Sequence, residues 1–181
     1  LCKIKCETDF VAKNDDFLLF ANQLTKAIHE SVKIKPQGNF DDISSISINE
    51  KDLNSSLTDL ISKIGENIQI ISYKKYNSEN SIFINYLHNK YNSSCSKIAS
   101  VVEISTDDTK KASEISDKLK VIAMQVSAMK PMGLNEESID PKVLEDEKDI
   151  ILKQIENTPN EKKEQIVQGK LNKFLKENTL M

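Results

Sequence analysis

The sequence predicts an α+β protein, in which helices pack on one face of small antiparallel sheets. Three observations support this class. Short stretches with alternating apolar and polar residues occur beside longer stretches with helical spacing. The elements follow in the order strand, helix, helix, strand, strand, strand, helix. The last third of the chain reads as two charged amphipathic helices. With 181 residues, 38% of them hydrophobic, the chain can bury a core in one domain or two small ones.

The N-terminal elements begin with a strand. Residues 1–6, "LCKIKC", alternate strictly and so predict a strand with one buried face. Asn14 or Asp15 can cap a helix that ends near Pro36. Its apolar stripe comprises Phe17, Phe20, Ala21, Leu24, Ile28 and Val32. Residues 39–49 are rich in serine and aspartate, which predicts a surface loop.

The middle of the chain predicts two helices around three strands. The first helix carries Leu53, Leu57, Leu60, Ile61 and Ile64, with Gly65 as its C-terminal cap. Strands are expected at 66–76, 81–88 and 96–105. Thr106 or Asp107 then caps a helix that reaches Pro131 and is expected to be a core helix. Its stripe comprises Ile115, Leu119, Ile122, Ala123, Val126 and Met129.

The last third of the chain predicts a helical hairpin. Asp140 and Pro141 suit a helix start, because proline is well tolerated at the first helical position. The first helix has Val143, Leu144, Ile151 and Ile155 as its stripe, and the second has Val167, Leu171, Phe174 and Leu175. The short segment "NTPNE" between them predicts a turn, and two helices so joined form an antiparallel pair.

Charge and composition exclude several functional classes. The net charge is −3 and the lysines are scattered among 28 acids, so nonspecific binding of nucleic acid is not expected. No apolar run approaches the roughly 20 residues that span a bilayer. A protein partner is therefore the expected ligand. All 25 basic residues are lysine, a bias typical of AT-rich coding, which favours an organelle, a parasite or an AT-rich bacterium. Since the chain begins without methionine, we expect a processed or trimmed protein.

The inventory of catalytic groups is small. Only four glycines occur, too far apart to form either common nucleotide-binding loop, so no cofactor is expected. His29 has no evident cysteine or serine partner. The acid pair 41–42 lies in the predicted polar loop and the pair 107–108 at a predicted helix start, so we interpret them as serving solvation and the helix N-terminus; a metal-dependent hydrolase that uses them is the alternative.

Three cysteines do not form a disulfide framework. Cys2 and Cys6 on one strand are about 13 Å apart, too far to bridge, so reduced structural thiols are expected. A zinc site made from Cys2, Cys6, Cys95 and His88 has suitable ligand types, but no C-x-x-C pair fixes two ligands locally. We therefore expect no bound metal.

The segment "CETDFVAKN" places a bare phenylalanine at the corner between strand and helix, where no local pattern requires one. This segment resembles the elongation factor Ts family, the guanine-nucleotide exchange factors of elongation factor Tu. Further family landmarks follow in the family's order, from one end of the chain to the other: "KIGENIQI", "YLH", "VVEI", "IAMQVSAMKP", "EKDIILKQI" and "IVQGKLNKFLKEN".

The resemblance implies two subdomains, each with a small antiparallel sheet and packed helices, and a projecting antiparallel helical hairpin. We place the N-terminal subdomain at 1–76, the C-terminal subdomain at 77–139, and the hairpin with its return at 140–181. The family's N-terminal helical module and the usual C-terminal tail have no counterpart among these residues, so we expect weaker affinity than for a full-length factor.

The resemblance also implies a function and its residues. The chain is expected to bind elongation factor Tu·GDP and promote GDP release during translation elongation, by contact rather than as an enzyme. Thr8, Asp9, Phe10 and Val11 would meet the partner near its magnesium and β-phosphate site, with Phe10 as an apolar wedge. His88 would be a second contact. The chain departs from the family after "YLH", where "NKYNSSC" replaces a glycine-rich turn.

An alternative function remains open. The charged hairpin could mediate self-association, which would make the chain a non-catalytic interaction module and a homodimer, with Phe10 folded back onto its own core. For localisation, the composition favours an organelle matrix or stroma, in a plastid or mitochondrion; the alternative is the bacterial cytoplasm.

Overall fold

A computed structural model of the chain describes residues 1–78, 80–107, 110, 114–156 and 159–181. Its helices and small antiparallel sheets confirm the predicted α+β class. The chain divides into two compact units, Leu1–Ile115 and Ser116–Met181. Each unit is described by itself below, and the three-part division at residues 76 and 139 stays a prediction.

The first unit is built on a three-stranded antiparallel sheet. Strand β1 (Cys2–Lys5) pairs with β5 (Gln69–Lys74), whose other edge pairs with the short β2 (Gln37–Gly38). Along β1 the even-numbered residues are half-buried and the lysines are exposed. The strand predicted from the alternation in "LCKIKC" is therefore confirmed.

Helix α1 (Asp15–Glu30) follows a short 3-10 helix, Val11–Lys13. The Asn14 side chain caps α1 by accepting hydrogen bonds from the amides of Asp16 and Phe17, as predicted. The predicted end near Pro36 is wrong, and so is the place of Val32 on the buried stripe. The chain becomes extended at Ser31, so the helical period no longer applies and Val32 is 93% exposed.

Residues 39–49 are not the surface loop that we predicted. They form α2 (Phe40–Ile43) and β3 (Ser47–Ile48), which pairs with β4 (Lys51–Asp52) through a two-residue turn at positive φ. The reason is a set of three isoleucines that the polar composition obscured. Ile43, Ile46 and Ile48 are all buried in the main core.

Helix α3 (Leu53–Ile64) confirms the second predicted helix. Asp52 caps its start, and Gly65 ends it with φ +79°, the left-handed conformation expected of a C-terminal glycine. Leu53 and Leu60 are buried together with residues of α1 and of the sheet. The fully buried side chains of this core are Leu24, Ile43, Leu53 and Ile68.

The first unit ends with an antiparallel hairpin of two long strands, β6 (Ser81–Lys90) and β7 (Ser96–Ser105). Both predicted strands are confirmed, and β6 runs two residues beyond the predicted end at His88. The register places Ser81 opposite Ser105 and His88 opposite Ile98. The two strands are therefore aligned over their full length.

The described part of the second unit contains three α-helices, α4 (Ser116–Met129), α5 (Pro141–Gln154) and α6 (Asn160–Asn178), and a short 3-10 helix, Glu136–Ser138. Helices α5 and α6 pack together through a small core of Ile151, Ile155 and Val167. Asp140 caps α5 with Pro141 at its first position, as predicted. Residues 157–158 of the predicted turn lie outside the described residues. In the part of the chain that is described, no helix is long and apolar enough to cross a bilayer.

The prediction that α4 is a core helix is wrong. Of its residues only Ala123 is buried, whereas Ile122, Met124 and Met129 are between 36% and 45% exposed. Helical periodicity shows which residues share a face, but burial also requires a surface that packs on that face. The predicted cap at Thr106 or Asp107 adjoins residues 108–109 and 111–113, which lie outside the described residues.

Candidate functional site

The candidate site is the loop between β1 and α1, residues 8–11. Phe10 at its tip is 88% exposed, whereas Val11 and Ala12 directly after it are buried. The backbone amides of Lys13 and Asn14 bond to the carbonyls of Phe10 and Val11 and close the 3-10 turn. The loop is thus anchored on the core just after Phe10. The alternative in which Phe10 folds back onto its own core is wrong.

Thr8 is held by Glu66, a residue 58 positions away in sequence. The Thr8 backbone amide donates to Glu66 Oε2 at 3.0 Å, and the Thr8 hydroxyl donates to Glu66 Oε1 at 2.7 Å. The Thr8 hydroxyl oxygen also accepts from the Val11 amide at 3.3 Å. The loop is therefore fixed on both sides of Phe10.

Asp9 forms an ion pair with Lys97 of β7, with Nζ and Oδ1 3.2 Å apart. Both side chains are largely exposed, at 73% for Asp9 and 55% for Lys97. Exposed pairs of this kind contribute between zero and about 1 kcal/mol, because water and salt screen them. The Asp9 carboxylate is consequently free to exchange Lys97 for another cation at little cost.

A cavity of about 670 Å³ lies beside the loop within the first unit. It is lined by β1, by α1 and by the turn that joins β6 to β7, and its lining includes Thr8, Asp9 and Lys97. Phe10 is absent from its lining.

His88 lies near the end of β6 and is exposed. Its Nδ1 is 3.2 Å from the Tyr86 hydroxyl, and the two rings are tilted at 37°. The turn after it forms without a glycine: Asn89 adopts the left-handed conformation, φ +52°, that asparagine tolerates, and the Asn92 side chain accepts hydrogen bonds from the Ser94 and Cys95 amides. The structure does not bring His88 into the network around Thr8.

The three cysteines are free thiols, half-buried against the main core. Burial raises the pKa of the Cys2 thiol to about 11, although the nearby N-terminal amino group opposes the shift. Burial also raises the pKa of Cys6, and the negative charges of Glu66 and Asp9 add to this effect. Since the thiolate is the reactive form, both thiols are expected to react slowly at neutral pH.

The metal-based alternatives gain no support from the geometry. Among the described residues, no three His, Cys, Asp or Glu side chains form a group that could hold a metal ion. Asp42 is the third residue of α2 and forms a capping box with the N-cap Asn39; the hydrogen bonds that it accepts from Lys35 and from the Asn39 amide hold the pKa of this carboxyl below its usual range. Asp108 lies outside the described residues.

The sequence analysis missed the residues that support the loop. Glu66 was noticed only as part of "KIGENIQI", and Lys97 was not singled out. One signal was available for Glu66. It directly follows Gly65, the predicted C-terminal cap of a helix, so its backbone position relative to that helix end could be predicted. The sequence contained no signal for Lys97, because its contact joins residues 88 positions apart.

Comparison with known proteins gives a consistent result. The family model described as "Elongation factor TS" matches residues 7–181. Curated proteins named "Elongation factor Ts" match the chain at 36% identity in Alkalilimnicola ehrlichii, 34% in Ureaplasma urealyticum serovar 10 and 32% in Polynucleobacter necessarius. Each match covers 100% of this chain and 56% to 58% of the relative, so the chain spans little more than half the length of these proteins. The chain belongs to the elongation factor Ts family.

Proposed function

We propose that the chain acts in translation elongation by binding elongation factor Tu·GDP and promoting GDP release, with Phe10 as the residue that enters the partner. The observation that carries the proposal is the exposure of Phe10, 88% in a chain that buries Phe17 and Phe20 in its core. A large apolar side chain held in water by an anchored loop gains burial only in a complex. The family membership supplies the partner for this interpretation.

The physical mechanism is linkage between two binding equilibria. If Phe10 is buried only when the partner's nucleotide site is open, the chain stabilises that open state. GDP and its magnesium ion stabilise the closed state. Each ligand then lowers the affinity of the partner for the other ligand by the same factor, and the nucleotide leaves faster without any covalent step. The proposed activity is therefore that of an exchange factor rather than an enzyme.

Asp9 has a secondary role in this proposal. Its carboxylate stands beside Phe10 and is paired with an exposed lysine, Lys97. Brought near the partner's magnesium ion, it would disturb the octahedral set of oxygen ligands that this ion requires. The 8–11 loop thus combines an apolar wedge, Phe10, with an adjacent negative charge, Asp9.

His88 is proposed as a second contact with the partner. It is exposed and lies on β6, away from the Thr8–Glu66 network. A contact at this position would add affinity without entering the nucleotide site. The proposal therefore assigns binding, and not release, to His88.

The bacterial relatives bear on localisation. The matched proteins come from bacteria, which favours the bacterial cytoplasm over the organelle that we expected from composition. No organelle protein is among these relatives, so the organelle prediction has no support from them.

The test is release of fluorescent GDP from elongation factor Tu in the presence of excess unlabelled GDP. With the chain at a tenth of the GTPase concentration, we expect repeated turnover and complete release at an accelerated rate. No free phosphate should form, which separates exchange from hydrolysis. Self-association through the hairpin predicts no acceleration and a dimer by sedimentation. An unchanged release rate with folded chain, even in excess over the GTPase, would contradict the proposal.

A further inference from the structure

We propose that Glu66 is a positioning residue for nucleotide exchange: it holds the 8–11 loop in the conformation that presents Phe10. This inference rests on the proposed function, because it assigns Glu66 a role only through Phe10. Glu66 is not itself expected to contact the partner.

The first step of the argument is the double hydrogen bond to Thr8. One Glu66 oxygen accepts from the Thr8 amide and the other from the Thr8 hydroxyl, at 3.0 and 2.7 Å. A single carboxylate thus fixes both the backbone and the side chain of Thr8. Bonds to an ionised acceptor are stronger than neutral ones, and two of them define an orientation as well as a distance.

The second step is the link from Thr8 to the far side of Phe10. The hydroxyl that donates to Glu66 also accepts from the Val11 amide at 3.3 Å. The order Glu66, Thr8, Val11 therefore encloses residues 9 and 10 between two fixed points. Val11 is itself buried, so the enclosed turn cannot easily swing toward the core.

The third step is the rigidity of the support. Glu66 follows Gly65, which ends α3 in a left-handed conformation, and precedes Ile68, which is only 2% exposed in the core. Few residues separate Glu66 from well-packed chain on both sides. A carboxylate held in this way can pre-organise the loop, so less conformational entropy is lost when Phe10 enters a partner.

The chemistry of the acceptor predicts a graded series of variants. A carboxylate offers a separate acceptor oxygen to each of the two Thr8 donors, whereas glutamine replaces one of these oxygens by an NH2 donor. We expect Glu66→Gln to lower the kcat/KM of GDP release about threefold and Glu66→Ala about tenfold, since bonds to charged groups are the stronger class. Thr8→Val keeps the amide and loses the hydroxyl, so its effect should fall between these two.

The matched control is Asp52→Ala. Asp52 also accepts a backbone hydrogen bond, from Ser55, but at the opposite end of α3. Its loss should lower the melting temperature while leaving exchange within about twofold of wild type, as expected for a helix cap away from the loop. A general loss of stability is thereby distinguished from a loss of loop position.

The decisive measurement is a cycle of Phe10→Ala, Glu66→Ala and the double variant. If Glu66 acts through Phe10, removing Glu66 from the Phe10→Ala chain should cost less than about twofold further, because coupled residues are not additive. If Glu66→Ala lowers the kcat/KM of GDP release as much in the Phe10→Ala chain as it does in the wild type, the positioning role is overturned. Wild-type exchange by both Glu66 variants while Phe10→Ala is impaired would overturn it as well. If Phe10→Ala itself exchanges normally, the proposed function through Phe10 fails instead. Should Glu66→Ala not fold, the same cycle is run with Glu66→Gln.

Discussion

Replacing Phe10 by alanine should separate exchange activity from folding stability. The side chain is 88% exposed in the free chain, so little burial is lost on truncation. Full burial of a phenylalanine contributes about 1.5 to 3 kcal/mol, and the small buried fraction here scales this to a few tenths of a kcal/mol. The free energy of unfolding of Phe10→Ala should therefore be close to that of the wild type.

The effect on exchange should be much larger. If Phe10 becomes fully buried in the partner, truncation removes about 1.5 to 3 kcal/mol from the complex with the open nucleotide site. At about 1.4 kcal/mol per factor of ten, this is a ten- to hundredfold loss in the acceleration of GDP release. Magnitudes of this size are measurable by stopped-flow fluorescence.

Two control variants make the comparison specific. Leu19→Ala removes another exposed apolar side chain, 56% exposed on α1 and outside the 8–11 loop, and should leave exchange unchanged. Phe20→Ala removes a buried phenylalanine and should cost about 3 to 5 kcal/mol of stability. The reasoning is refuted if Phe10→Ala loses several kcal/mol in urea unfolding, or if it accelerates GDP release as well as Leu19→Ala does.

Four further outcomes are expected. Asp9→Ala should lower GDP release by less than Phe10→Ala in the same assay, because its exposed carboxylate is well solvated before and after binding. His88→Ala should raise the KM of exchange several-fold with kcat nearly unchanged; equal KM values would remove the second contact. Gly65→Ala should cost about 1 kcal/mol of stability in urea unfolding, because φ is +79°, while the added Cβ would meet no described atom from elsewhere in the chain within 4 Å and so adds no clash. The pKa of the Cys2 thiol is about 11 in the folded chain and 9.0, its ordinary value, in the unfolded chain, so between these pH values only the unfolded chain loses the proton. The free energy of unfolding should therefore fall as the pH rises through this range, and it should fall less in Cys2→Ser.

The sequence was sufficient for elements whose signals are local. Asn14 and Gly65 marked helix ends correctly, because capping depends on residues within one turn. The strict alternation of residues 1–6 and the β-branched runs of β6 and β7 likewise predicted strands. For the candidate loop, the residues were found through resemblance, and the exposure of Phe10 required the structure.

Two of the failures share one physical cause, which is that burial is decided by distant parts of the chain. Residues 39–49 were predicted as a loop from their serines and aspartates, yet Ile43 is fully buried because the core offers it a place. Conversely, Met129 lies on the predicted apolar stripe of α4 and is 39% exposed. The pairing of Thr8 with Glu66 belongs to the same class, since no local pattern links residues 58 positions apart.

The left-handed cap of α3 has a consequence for the motions of the loop. The Gly65 amide donates to the Ile61 carbonyl at 2.8 Å and closes the last turn of the helix, and the next residue holds Thr8. When this turn frays, Glu66 loses its fixed position and Thr8 is released in the same event. Terminal turns open far more often than whole domains unfold. The 8–11 loop should therefore open together with the last turn of α3. The protection of its backbone amides from hydrogen exchange then reports the stability of one helical turn rather than that of the whole unit.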